Sequence, residues 1–362
     1  MEREIHAVGQ AIADLAPFGI VDRDPPRVER LHAFLEGLFD ARDVAYDSVV
    51  GYVTGIKELF QETMKALDPR RIAINYSEGS EICDGLTHGM YLTLHRFLAE
   101  VGMAERIVPA ERIVSALRER KSVSEIGFMK EAVRTTEEIF GMVRGFIAPG
   151  RTEKEIAAFM MSEVKRRGLE PAWAESTCPS VFTGPDTAGA HYSPTDRKVE
   201  PGHVLNMDFG VKVNSYCSDM QRTFYILCPG EREAPADVAG GFAAIVQAIE
   251  SSRQAMKPGV QGFDIDAISR KVITAAGYDE FPHALGHQVG RFAHDGTALL
   301  GPKWEKYAQK PFRLLEEGMV FTIEPRLTVP GRGVVTIEEM VVVTKDGAEW
   351  LSAPQKEILL VG

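Results

Sequence analysis

Behind the stretch Ser122-Val-Ser-Glu125, apolar residues recur at helical spacing: Ile126, Met129, Val133, Phe140 and Val143. Ser followed three residues on by Glu is a capping pattern, so a helix is predicted to start there. Upstream, RIAINYS (71–77) alternates as a strand does, LTHGMYLTLHRFLAEVG (86–102) reads as a helix, and RIVPAERIVSALRERK (106–121) ends in a basic helix. The chain therefore divides into a smaller α/β domain, 1–121, and a larger one, 122–362. His88 and His95 of the first domain have no partner pattern and read as surface or packing residues.

The larger domain repeats its punctuation. FIAPG ends at Gly150 and KPG at Gly259, and each is followed by an amphipathic stretch that stops at a glycine, Gly168 or Gly277. Both intervals are 18 residues, and the second copy begins 109 residues after the first. Each half then continues into a hairpin. VLNMDFGVKVNSYCSDMQRTF (204–224), with a turn centred on Val213-Asn214, sets Asp208 opposite Asp219. MVFTIEPRLTVPGRGVVTIEEMVVVT (319–344) turns at Pro330-Gly331-Arg332, and its midpoint, Gly331, sets Glu324 opposite Glu338. Alternation places Thr322, Glu324, Thr336 and Glu338 on one face and Phe321, Ile323, Val335 and Ile337 on the other. Elements of both kinds, with helices and hairpins in sequence, give an α+β class.

Facing carboxylates repel, and four of them on half-buried sheet cost too much to stand alone. One aspartate on a strand is ordinarily solvated or salt-bridged, with Arg222 or Arg326 as candidate partners. Four at matched positions point instead to cations. Hard oxygen ligands on rigid strands suit divalent metals, and four exceed the usual share of one catalytic zinc, so two ions is the natural count. HALGHQVGRFAHDG (283–296) adds His283, His287 and His294 within twelve residues. Gly286 and Gly290 disfavour a helix there, so strand and loop are expected. Imidazole among carboxylates favours Zn, Mn or Co over Ca. His191, in the glycine-rich GPDTAGAHYSPTDR, is a further candidate.

Composition narrows the setting. A net charge of -11 argues against a nucleic-acid surface. No apolar run approaches the roughly 20 residues of a membrane span, and no basic-then-apolar leader opens the chain. Cys83, Cys178, Cys217 and Cys228 are in no metal-ligand spacing and read as reduced thiols, which together suggest a cytoplasmic protein.

Over about residues 120–360 the chain resembles the pita-bread metallopeptidases, in particular the Xaa-Pro dipeptidase (prolidase) and aminopeptidase P branch. The motifs are D-F-G…Y-x-S-D-x-x-R-T at Asp208–Thr223, H-x-x-G-H-x-x-G at His283–Gly290, I-E-P at Ile323–Pro325 and I-E-E at Ile337–Glu339. The resemblance implies a pita-bread fold with an internal pseudo-twofold repeat, two divalent ions held by Asp208, Asp219, His287, Glu324 and Glu338, and a homodimer acting on short peptides. It also implies His191, His283 and His294 as histidines that contact substrate and transition state, with Glu324 as proton shuttle, His294 or His191 as donor to an oxyanion, and His283 and His191 binding substrate. Residues 1–120 resemble the branch's N-terminal domain only by position and size.

The chain departs from the branch at three places. Thr336 stands where an arginine commonly precedes I-E-D, Gln221 replaces a threonine, and Arg326 replaces the glycine after E-P. Arg326 or Arg332 is the candidate substitute for substrate-end recognition. Two other readings remain: a metal-dependent hydrolase or lyase of a small nitrogenous or charged metabolite on the same fold, and a catalytically dead binding module, which loss of ligands would mark.

Overall fold

The computed structural model describes residues 52, 54–185 and 192–362, which form two compact units meeting in sequence at Val114/Ser115. The first contains α1 (Lys57–Leu67), β1 (Ile72–Ile74), α2 (His88–Ala99) and β2 (Ile107–Pro109). β1 and β2 pair in parallel, and Phe60, Met64, Ile72, Ile74, Leu98 and Met103 form its core. Helix α3 (Glu111–Glu119) runs across the division.

The second unit opens with α4 (Val123–Arg144), and Ser122 caps it as the sequence predicts: its hydroxyl accepts from the Glu125 N–H while the Glu125 carboxylate accepts from the Ser122 N–H. α5 (Glu153–Arg166) follows, then β3 (Glu170–Pro171), β4 (Ser180–Thr183), β5 (Val204–Phe209), β6 (Val211–Val213), β7 (Tyr216–Cys217) and β8 (Met220–Ile226). The second half has α6 (Ala236–Ala255), α7 (Gly262–Ala275), β9 (Gly286–His287), β10 (Leu299–Leu300), β11 (Val320–Ile323), β12 (Arg326–Val329), β13 (Gly333–Thr336), β14 (Glu339–Val343), β15 (Ala348–Trp350) and β16 (Leu359–Val361).

The repeat in the sequence is a repeat in the fold. α5 and α7 are each 14 residues long, and their starts are 109 residues apart. The Gly150 N–H donates to the Val199 carbonyl, and the Gly259 N–H donates to the Leu315 carbonyl, both at 2.8 Å. Each half then sends its hairpin inward beneath its own helix pair. α4 and α5 share a core with Leu205, Met207, Phe209, Met220 and Phe224. α6 and α7 share one with Phe321, Ile323, Val335 and Ile337, which alternation placed together on one face.

The sheets are short: β16-β8-β5-β4, β11-β14-β15, β12-β13, β3-β6-β7 and β10-β9. Bridges Gln221↔Glu338 and Gln288↔Phe321 stitch them together, so the carboxylate-bearing faces of both hairpins point at one another. The four cysteines are free thiols. Among the described residues no helix is long and apolar enough to cross a membrane.

Candidate metal centre

The first hairpin corrects the expected register. β5 and β8 pair Asp208 with Gln221, not with Asp219, and β6–β7 turns on Asn214 and Ser215 at φ 48° and 66°. Two positive φ values make a type I′ turn. A turn on Val213-Asn214 would force β-branched Val213 into that conformation, where its side chain crowds the backbone, so the turn sits one residue later. Side-chain parity survives the shift. Asp208 and Asp219 remain on one face as diagonal neighbours, and their carboxyl groups hydrogen-bond each other.

The second hairpin has the expected register, with Arg326 opposite Thr336 and Val329 opposite Gly333. Glu324 and Glu338 lie where its two arms leave the ladders. Pro325 offers no N–H, which interrupts pairing. The Glu324 N–H instead donates to the Leu285 carbonyl at 2.7 Å, and Glu338 exchanges two backbone hydrogen bonds with Gln221, both at 3.3 Å. The break thus delivers Glu338 to the first hairpin.

His287 arrives on β9, as the strand-and-loop reading anticipated. A Cβ on Gly286 would stand 2.0 Å from the Thr322 carbonyl oxygen, so only glycine lets β9 lie this close to β11. The His287 N–H donates to Thr322 Oγ1 at 3.1 Å, and ring Nδ1 is 3.3 Å from the Gln288 carbonyl. With the proton on Nδ1, Nε2 turns its lone pair toward the carboxylates. It is 3.4 Å from Glu324 Oε1, 3.7 Å from Asp219 Oδ2 and 3.8 Å from Glu338 Oε1. Asp219, His287 and Glu338 each offer a ligand atom within 4.8 Å of the others.

Burial sets the electrostatics. It pushes Asp208 up to about 7, against a smaller opposing effect of the hydrogen bond from Asp219. It raises Asp219, Glu324 and Glu338 well above the ordinary carboxylate range, with the charges of the neighbouring carboxylates adding to it. Asp208 Oδ1 and Gln221 Oε1 are buried without a hydrogen-bond partner. The donor set therefore fits divalent ions: four carboxylates and an imidazole, packed at the roughly 3–4 Å separations of groups each about 2.1 Å from a shared ion, with an unsatisfied oxygen among them.

This has a measurable consequence. Because the folded-state pKa values are raised, the metal-free fold holds more protons than the unfolded chain, and the stability that Asp208 contributes falls as pH rises through about 7. Ion binding needs the ionised ligands and must expel those protons. Affinity for Mn2+ or Zn2+ is expected to fall by roughly tenfold per pH unit for each proton released as pH drops below 7. Calorimetry in two buffers of different ionisation enthalpy checks it, and heats independent of buffer would contradict it.

The other predicted residues sort as follows. The His294 ring stacks on His287 at 4.0 Å between centroids. His283 Nδ1 lies 2.8 Å from the Ala284 carbonyl, and its ring meets Phe281 at 5.2 Å. Arg326 projects from β12 on the side opposite Leu327 and Val329, which enter the helix-side core, so it shares the face of Glu324. Burial lowers its pKa. Arg332 is not brought to the cluster. At the hairpin turn it bonds Asp237 at 3.3 Å and the Gly202 carbonyl at 3.1 Å. Arg222 pairs with Glu339 at 3.0 Å rather than with Asp208, because it faces the other side of β8. His191 lies outside the described residues.

Gln221 was legible in the sequence only as a departure, and Arg270 escaped sequence reasoning. Gln221 sits opposite Asp208, and its Nε2 donates to Glu324 Oε2 at 3.4 Å. Arg270, paired with Asp266 on α7 at 2.6 Å, donates to the carbonyls of Phe281 and His283, at 2.7 and 2.6 Å. Asp266 in turn accepts from the Leu285 N–H at 3.1 Å. The i,i+4 spacing in DIDAISR shows the ion pair, but nothing in it shows the backbone it grips.

The model of metallopeptidase family M24 matches residues 127–345. Among curated proteins the chain is 30% identical over 248 residues to the Xaa-Pro dipeptidase of Pyrococcus furiosus, covering 68% of this chain and 67% of that protein. It is 32% identical over 243 residues to an uncharacterized peptidase of Staphylococcus haemolyticus, covering 67% and 65%. The chain thus spans about two thirds of the length of these curated relatives. Among solved structures it is similar to the X-Pro aminopeptidase from Thermotoga maritima, with a TM-score of 0.71, 28% identity and coverage of 87% and 83%. The Xaa-Pro dipeptidase from Bacillus anthracis gives 0.73 and 25%, with coverage of 91% and 84%. The fold is the pita-bread fold that the resemblance implied.

Proposed function

This chain belongs to metallopeptidase family M24, and we propose on that premise that it hydrolyses the peptide bond before proline in short peptides, using two divalent ions. The observation that carries the reading is the meeting of Asp219, His287 and Glu338, from three separate parts of the chain, with their ligand atoms within 4.8 Å. Asp208 and Glu324 complete the set that would hold Mn, Co or Zn.

Bound ions supply a polarised scissile carbonyl and a water acidified toward neutrality. The chain's own residues do the rest. Glu324, with a raised pKa and Oε1 beside His287 Nε2, is suited to hold a proton in transit to the leaving amine. His294, stacked against His287, would donate to the developing oxyanion, the role His191 would share. His283, its backbone fixed by Arg270, seats the substrate. Arg326, on the face of Glu324 and directly opposite Thr336, offers a cation to the carboxylate end of a short substrate. The reading also takes the protein as a cytoplasmic homodimer.

The test is a panel of Xaa-Pro dipeptides and Xaa-Pro-Yaa tripeptides assayed with added Mn, Co or Zn. Metal-dependent cleavage before proline is expected. Cleavage of no peptide in the panel, with turnover of a small charged or nitrogenous metabolite instead, would replace this reading by the hydrolase or lyase one. Light scattering at micromolar concentration is expected to give the mass of a dimer, and a monomer would refute that part.

A further inference from the structure

Just ahead of α4, three of the four charged side chains of residues 118–121, those of Arg118, Glu119 and Lys121, are wholly or largely covered and serve no ion-binding role. Glu119 and Lys121 are buried, and Arg118 is largely covered. All three turn toward the loop bearing His294. The Asp295 carboxylate, 2% exposed, forms an ion pair with Arg118. It also accepts from the Arg291 N–H at 2.7 Å, while its own N–H donates to the Gln288 carbonyl at 2.8 Å. A Cβ on Gly290 would stand 2.2 Å from Asp295 Oδ2 and 2.9 Å from Lys121 Cε, so both side chains close on the same point of the loop. Glu119 secures the loop's far end. Its Oε1 accepts from the Thr297 N–H at 2.8 Å and from the Thr297 hydroxyl, which also accepts from Arg313 Nη2 at 2.6 Å.

Buried charges are costly, and well-packed apolar side chains of similar volume commonly give equal or greater stability. A loop that needed only to be packed would not require two carboxylates and two cations under it. In some proteins what such charged pairs add is a fixed register. The residue whose register is fixed is His294, beside Asp295 in sequence and stacked at 4.0 Å on His287. Arg118 grips the other flank as well, lying 5.0 Å over the Phe292 ring.

We propose that Asp295, paired with Arg118, is the positioning residue for His294. Asp295 touches neither substrate nor ion. It keeps the 288–297 loop in the one placement that holds the His294 ring against His287, and an error of about 1 Å in such a group is costly to the chemical step. The inference rests on the oxyanion role given to His294 above.

Asp295→Asn tests it, with Arg118→Gln as a second variant should the first fail to fold. With a cleaved Xaa-Pro peptide, kcat is expected to fall by about 10- to 100-fold, with KM and metal content within about twofold of wild type. In a His294→Ala background the same Asp295→Asn change is expected to alter kcat by less than about twofold, because its route to the reaction is already gone. An equal loss in both backgrounds overturns the proposal. Amide exchange gives an independent arm: protection across residues 289–296 is expected to drop at least about tenfold in either variant, with α5 and α7 unchanged. Unchanged protection in the loop overturns it too. A wild-type protein that cleaves no peptide would remove the role of His294, and the exchange arm would then decide whether the clamp exists.

Discussion

Asp219→Ala is expected to abolish turnover of every substrate, by about four orders of magnitude or more, because it takes a carboxylate out of the middle of the cluster. Asp219 hydrogen-bonds Asp208, lies 3.7 Å from His287 Nε2 and adds its charge to that felt by Glu338. The variant is expected to bind fewer ions than wild type while keeping its fold, since removing one of four mutually repelling buried carboxylates relieves the metal-free protein. Metal-free Asp219→Ala should therefore melt at or above the temperature of the metal-free wild type. Comparable turnover in the metal-stripped variant would end the metallopeptidase reading.

Arg326→Met is expected to lower kcat/KM for Xaa-Pro dipeptides by roughly 10- to 100-fold, mostly through KM, since a charge-assisted hydrogen bond contributes about 1.5–3 kcal/mol net. Peptides amidated at the C-terminus, lacking the carboxylate, should lose less than about threefold. Thr336→Arg should give no gain. Thr336 is 3% exposed, its hydroxyl donates to the Pro325 carbonyl at 3.0 Å, and it stands directly opposite Arg326. A second guanidinium there would face the first across the strand pair, where like charges repel. A gain of kcat/KM for dipeptides in Thr336→Arg, with none lost in Arg326→Met, would show that Arg326 does not take the carboxylate end.

Much of the fold was legible because the chain punctuates it. Pro-Gly pairs and helix-ending glycines recur at one period, and the helices they frame are equal in length. The second hairpin was readable to the residue because Gly331 centres arms of strict alternation. The first was off by one turn position: alternation fixes which face Asp208 and Asp219 share, but the turn depends on which residues tolerate positive φ, and Asn214-Ser215 do so better than Val213. Alternation and the repeat singled out the carboxylates of both hairpins, the first pair in spite of a register that the structure corrects.

What stayed hidden is long-range. Asp295 meets Arg118 across 177 residues of chain, and Thr297 meets Glu119 across 178. Periodicity records that a side chain turns inward, not what it will find there. Arg332 shows the converse: it stood as a candidate for substrate-end recognition, yet Asp237 on α6 and the Gly202 carbonyl hold it elsewhere. Glu338 and Glu339 are neighbours in sequence, but alternation sends one to the carboxylate cluster and the other to Arg222.

Anomalous diffraction from crystals soaked in Mn2+ tests the two-ion centre most directly. Two peaks about 3.5–4 Å apart, enclosed by Asp208, Asp219, His287, Glu324 and Glu338, are the expected result. No peak among these five side chains at saturating metal, or ions bound only elsewhere on the chain, would contradict it.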